Sequence, residues 1–190
     1  IQLANENNSE ALYELGNRYF IGKKIDKDYK KAIYYFEKAK EAGNEKGDYG
    51  IAKCYYYGRG MEQNYENAYK IFYELMNKYN NIDSKYYIGL MYYNGFYVEQ
   101  NYGMAFNIFK ELMEKNNAEY ATQMLGNMYY YGEYVEKDYA KSFKIFQKLY
   151  DDFKNPYSLM MMTEMYYYGR GIEVNYTKAR EYGELYEKNA

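Results

Sequence analysis

Histidine and tryptophan are absent from the 190 residues, and there is one cysteine, Cys54, and one proline, Pro156. Without histidine there is no imidazole general base, no Ser-His-Asp or Cys-His constellation, and almost no zinc site with nitrogen ligands. A single cysteine cannot form an intramolecular disulfide, which fits a reducing compartment. Neither sign of charge dominates, since 25 basic and 27 acidic side chains leave a formal charge of −2. That offers no basic footprint for nucleic acid and no polybasic membrane anchor. No apolar run approaches the ~20 residues that span a bilayer. No secretory signal is recognisable at the start.

What the chain has is tyrosine, 33 copies of it. Asn, Lys and Ile are also plentiful. All four share AT-rich codons, so genome composition accounts for part of the excess. The tyrosines fall in a register. A glycine recurs at Gly22, Gly58, Gly95, Gly132 and Gly169, and seven residues after each comes Tyr29, Tyr65, Tyr102, Tyr139 or Tyr176. A fixed period of this size is the signature of a solenoid whose units bury their apolar faces against their neighbours. The expected organisation is one domain, 1–190, with repeats at about 9–44, 45–81, 82–118, 119–155 and 156–190. Residues 1–8 are expected to be the end of a preceding helix or a cap.

Each repeat predicts two helices. In the first repeat, Ala11, Leu12, Leu15, Gly16 and Tyr19 form one helical stripe over 9–21, with Ser9 as a plausible N-cap. Gly22 ends the helix as a left-handed residue. Asp28, Asn64, Asn101, Asp138 and Asn175 stand before the next apolar stripe and are expected to cap the second helices, each worth ~1 kcal/mol. Those helices carry Tyr29, Ala32, Ile33 and Phe36 and their copies, at amphipathic spacing. The aromatic stripe is core rather than a cofactor box. In the fifth repeat Arg180 and Gly183 replace large apolar residues, as suits a terminal unit.

Leu15-Gly16-x-x-Tyr19 with Ala32-x-x-x-Phe36, and Leu125-Gly126-x-x-Tyr129 with Ser142-x-x-x-Phe146, resemble the tetratricopeptide signature. The period is longer, and the extra length lies in the turn. Gly58-Arg59-Gly60-Met61-Glu62-Gln63-Asn64-Tyr65 and Gly169-Arg170-Gly171-Ile172-Glu173-Val174-Asn175-Tyr176 resemble the turn of the Sel-one-like repeat family. The resemblance implies an all-α, right-handed α-solenoid superhelix of about five helix-turn-helix repeats. Proteins of that kind serve mainly as scaffolds that hold other proteins. Some cysteine-rich members act on β-lactams, but those carry paired cysteines and this chain does not.

In such arrays the first helices line the concave surface. The positions outside the core stripe supply the candidate groove: Tyr13, Asn17, Tyr49, Lys53, Tyr56, Tyr86, Tyr93, Asn127, Tyr130, Tyr131 and Tyr167. Large, rigid tyrosines suit a protein or peptide ligand. The alternative for each is packing between repeats. Within Met128–Tyr139 only Tyr130 and Tyr131 are left to face a partner. Other readings are an envelope glycan or peptidoglycan module, and a β-lactamase-like enzyme. The two Gly-Arg-Gly turns lack the Lys-Ser/Thr of a phosphate loop. Cys54, which aligns with Arg18, Met91, Met128 and Met165, is expected to be packed. The chain thus offers no catalytic residue, no metal ligand set and no cofactor site. Its repeat ends would allow weak self-association.

Overall fold

A computed structural model describes residues 8–189. Among them are ten helices and no strand: α1 (Ser9–Ile21), α2 (Tyr29–Glu41), α3 (Glu45–Tyr57), α4 (Tyr65–Tyr79), α5 (Ile82–Asn94), α6 (Tyr102–Asn116), α7 (Glu119–Tyr131), α8 (Tyr139–Phe153), α9 (Pro156–Tyr168) and α10 (Tyr176–Asn189). This is an all-α repeat fold with the expected helix pairs. The expectation for residues 1–7, a preceding helix or cap, lies outside the described residues. The helices gather into two compact units, Ile1–Glu99 and Gln100–Ala190. The division falls in the turn of the third repeat.

Local chemistry sets the helix ends. Asp28, Asn64, Asn101, Asp138 and Asn175 each accept a backbone N–H three residues on, from Lys31, Asn67, Met104, Lys141 and Lys178. Four of them also donate their own N–H to a first-helix carbonyl: Asp28 to Tyr19, Asn64 to Tyr55, Asp138 to Tyr129 and Asn175 to Tyr166. The cap therefore starts one helix and ties it to the helix before. The first helices have caps too. Asn8, not Ser9, caps α1, because its side chain accepts the Ala11 N–H while Ser9 is already helical. Asn44, Asn81 and Asn155 do the same for α3, α5 and α9. At α7 the position is Ala118, which has extended backbone and no side-chain cap.

The turn uses two left-handed residues. Gly22, Gly58, Gly95, Gly132 and Gly169 are the first, each closing its helix with a backbone bond to the carbonyl four residues back. Two residues later Lys24, Gly60, Tyr97, Tyr134 and Gly171 are also left-handed. Glycine is needed there where the turn lies on the preceding helix. A Cβ on Gly171 would come within 2.3 Å of the Tyr139 carbonyl carbon. In the fourth repeat the exchange runs the other way. Tyr134 occupies the turn, and the helix beneath offers Gly103, whose missing Cβ leaves room for the ring.

The core of each unit contains fully buried rings from its second helices. Phe36 and Phe72 belong to the first unit, Phe109 and Phe146 to the second. Burying each contributes about 2–3 kcal/mol. Phe36 lies against α1 and α3, where Cβ atoms on Gly16 and Gly50 would come within 2.7 Å and 2.5 Å of its ring. Phe146 meets Gly126 in the same way, at 2.7 Å. Around these rings pack Ala32, Phe20 and Cys54 in the first unit, and Phe143, Leu149, Leu159, Met162 and Met165 in the second. The run Met160-Met161-Met162 is only partly core, since Met160 is exposed.

Three outcomes follow. Ala118→Asn should raise stability by about 1 kcal/mol by supplying the missing cap; an unshifted thermal melt would show that the helix end is already satisfied. Gly171→Ala should cost about 2–4 kcal/mol, combining left-handed strain with overpacking; urea denaturation reads this, and an unchanged midpoint refutes it. The third concerns pH. Burial pushes the phenols of Tyr13 and Tyr130 up to about 12, whereas an unfolded tyrosine titrates near ~10. Above that value the unfolded state binds fewer protons than the native one, so stability falls as pH rises towards 12. The melting temperature should drop between about pH 10 and 12, with part of the tyrosinate absorbance appearing only on unfolding. A single exposed-type titration with a constant melting temperature would contradict this.

Candidate functional site

At about 100° per residue, positions i, i+4 and i+8 of a helix form a slanted ridge. Each first helix has two such ridges side by side. One contains Leu12, Gly16 and Phe20 in α1, all buried. The other contains Tyr13, Asn17 and Ile21, none of them buried. The second ridge stays unburied in every first helix. The second ridge is Tyr49, Lys53 and Tyr57 in α3, Tyr86, Leu90 and Asn94 in α5, Gln123, Asn127 and Tyr131 in α7, and Met160, Glu164 and Tyr168 in α9; none of the fifteen residues is buried.

The groove expected from the sequence mixed these two ridges. Tyr56 and Tyr130 belong to the inner ridge and are 7% and 5% exposed. This corrects the expectation that they face a partner. Tyr56 meets the rings of Tyr57, Tyr65, Phe72, Tyr87 and Phe96. Tyr130 meets Tyr131 and Tyr139, and its hydroxyl bonds Glu164 at 2.7 Å. Tyr93 is half-buried in the same register. Tyr167, the last copy, is 51% exposed. Of the Met128–Tyr139 stretch, only Tyr131 of the expected pair stays exposed.

The remaining candidates lie on the outer ridge with defined neighbours. Tyr13 is half-buried against Phe36, with the Lys46 ammonium 5.8 Å from its ring. Tyr49 packs on Phe72 and Tyr87, and burial pushes its phenol well above the usual range. Tyr86 lies beside Tyr87. Asn127 accepts a hydrogen bond from the Tyr157 hydroxyl at 2.8 Å, and Asn17 is half-buried. The Lys53 ammonium stands over the rings of Phe20 and Tyr49, 4.8 Å and 5.0 Å from their centroids. Burial lowers its pKa.

Two functional-looking residues escaped the sequence reading. Arg59 lies over Phe20, Tyr29 and Tyr57, at 4.9, 5.6 and 4.7 Å. Arg170 lies over Tyr130, Tyr139 and Tyr168, at 5.5, 5.8 and 5.1 Å, and bonds Glu164 and the Tyr130 hydroxyl. The available signal was the arginine itself, present in only two of the five turns.

Nothing in this arrangement assembles reacting groups. Cys54 is buried and its thiol is pushed up to about 12, so it stays protonated at neutral pH. Its pocket is apolar, as its alignment with three methionines suggested. Among the described residues no group of three or more acids, cysteines or histidines could hold a metal ion, and no helix is long and apolar enough to cross a membrane. In each unit the outer ridge carries aromatic, aliphatic and amide side chains with a few charges.

The Sel1 repeat model matches residues 9–44, 46–74, 82–117, 120–152 and 156–185. The segments coincide with the five helix pairs. Among solved structures, a protective antigen present in uropathogenic Escherichia coli strains, displaying an SLR fold, is 25% identical with a TM-score of 0.73. The match covers 98% of this chain and 39% of that protein. A Sel1 repeat protein from Oxalobacter formigenes is 22% identical over 97% of this chain and 74% of its own, with a TM-score of 0.79. One from Klebsiella pneumoniae subsp. pneumoniae is 18% identical over 100% and 90%, with a TM-score of 0.66. No curated protein matches the chain. With five matched segments across the length of the helical array, the chain belongs to the Sel1 repeat family.

Proposed function

We propose that the chain is a non-enzymatic scaffold that binds a protein or peptide along the outer ridge of its first helices. Sel1 repeats generally mediate protein interactions and are generally non-catalytic. The observation that supports this reading most directly is the ridge itself. It remains unburied in every repeat, yet its last position carries Ile21, Tyr57, Tyr131 and Tyr168 in four of five. A solvated helix face has no need of large apolar side chains at a fixed register. Tyrosines there offer contact area at low entropic cost, and several of them already lean on neighbouring rings, which limits the freedom lost on binding.

In each unit the binding face is formed by its copies of the Tyr13–Asn17–Ile21 ridge. Lys53 and Asn127 supply polar contacts within it. The test replaces Tyr57, Tyr131 and Tyr168 together with Ser, against a control with Ser at Tyr34, Tyr73 and Tyr176. The control tyrosines are also exposed but lie on second helices. Proteins captured by the native chain should be lost with the first variant and kept with the second, with both melts close to native. Equal capture by both variants refutes the ridge.

A further inference from the structure

The two arginine sites are the same site with opposite charge beside it. Counting by repeat, Phe20, Tyr29 and Tyr57 correspond to Tyr130, Tyr139 and Tyr168, and Arg59 to Arg170. Each arginine covers the same three rings. The later copy is complete in itself. Glu164 on α9 pairs with Arg170 and accepts the Tyr130 hydroxyl. In the earlier copy the position of Glu164 is Lys53, and the position of Tyr130 is Phe20. The carboxylate is gone, a second cation stands in its place, and the hydroxyl that would have bonded an acid is gone too.

Lys53 and Arg59 approach the same ring, 4.8 Å and 4.9 Å from the Phe20 centroid. Neither has a carboxylate within ion-pair distance among the described residues. The acid that faces Lys53 is Asp83 at the start of α5, near enough to favour the ammonium but not paired with it. Both cations are partly buried, so their charges are less hydrated than those of ordinary surface lysines. Two like charges held together on aromatic faces, with Asp83 nearby but not paired to either, favour an incoming anion.

We propose that the Lys53–Arg59 pair receives the side-chain carboxylate of a glutamate in an acidic, aromatic-flanked segment of the partner. It takes the place that Glu164 fills in the later copy. This rests on the scaffold reading above and names the partner's chemistry at one point of the ridge. The flanking aromatics of the partner meet Tyr49 and Tyr57, which border the cations on the same helix face.

The probe is the blocked peptide acetyl-Gly-Phe-Glu-Phe-Gly-amide, titrated into the full chain by nitrogen–proton correlation spectra, with its Glu→Gln counterpart alongside. Saturable shifts at residues 53–60, at least tenfold weaker affinity for the Gln peptide, and at least tenfold weaker binding of the Glu peptide by Lys53→Glu are expected. The same spectra show whether the variant is folded. If it is not, Phe20→Tyr with Lys53→Glu reproduces the later copy in full and replaces it. Equal binding of both peptides, unchanged by Lys53→Glu, overturns the carboxylate site but leaves the ridge as a docking face. Absence of shifts with either peptide also overturns the carboxylate site, while the serine variants judge the ridge independently.

Discussion

The structure depends on one contact, a phenylalanine ring of a second helix pressed on a first helix where the side chain is almost nothing. Phe36 against Gly16, Phe146 against Gly126 and Phe72 in the repeat of Ala52 are all fully buried or nearly so. The ring supplies the apolar area, and the small residue brings the backbones close enough to exclude water. The fifth repeat shows that this is a property of the pair. Gly183 replaces the phenylalanine on α10, and Thr163 replaces the small residue on α9, with its methyl carbon 3.8 Å from where a Cβ on Gly183 would stand. Size moves from one helix to the other and the helices stay in contact.

The turn follows the same logic of exchange. Gly171 lets the turn rest on the backbone of α8, while Tyr134 rests its ring on Gly103 of α6. A substitution in one partner has meaning only with its opposite number one helix away. Because the cap residue also bonds the first helix, turn, cap and helix pair form one cooperative unit. Side-chain variety is then free to accumulate on the outer ridge, which these contacts do not use.

The helices, their ends and the second-helix caps were legible in the sequence, since each depends on residues close together in the chain. The period located Gly22 and its copies, and Asp28 and its copies preceded an apolar stripe. The ridge was not legible. Tyr56 and Tyr57 are adjacent, differ by about 100° around the helix, and are chemically identical. Which of them meets the following helices depends on how one repeat is rotated on the next, and no residue within a single repeat states that rotation. Lys24, Tyr97 and Tyr134 likewise hid the second left-handed position, because only two of its five copies are glycine. Ser9 and Asn8 are both good caps, and the choice between them was set by where the first turn begins.

The tyrosine excess therefore has more than one physical meaning. Tyr56 and Tyr130 are packing residues whose hydroxyls require accommodation, and Tyr130 finds it in Glu164 and Arg170. Where phenylalanine stands instead, at Phe20, there is no hydroxyl to satisfy and the acid is replaced by Lys53. Between these two copies charge and hydroxyl change together while the arginine and its rings stay, whereas beside Tyr56 the matching position is Leu90. A codon bias raises the number of tyrosines but has no reason to couple them to the charge of a residue on the neighbouring helix. Packing does, because a buried phenol needs an acceptor and a buried ring does not. The coupling leaves one copy closed and neutralised, and the other open with two cations, so two sites that share an arginine and three rings differ in charge.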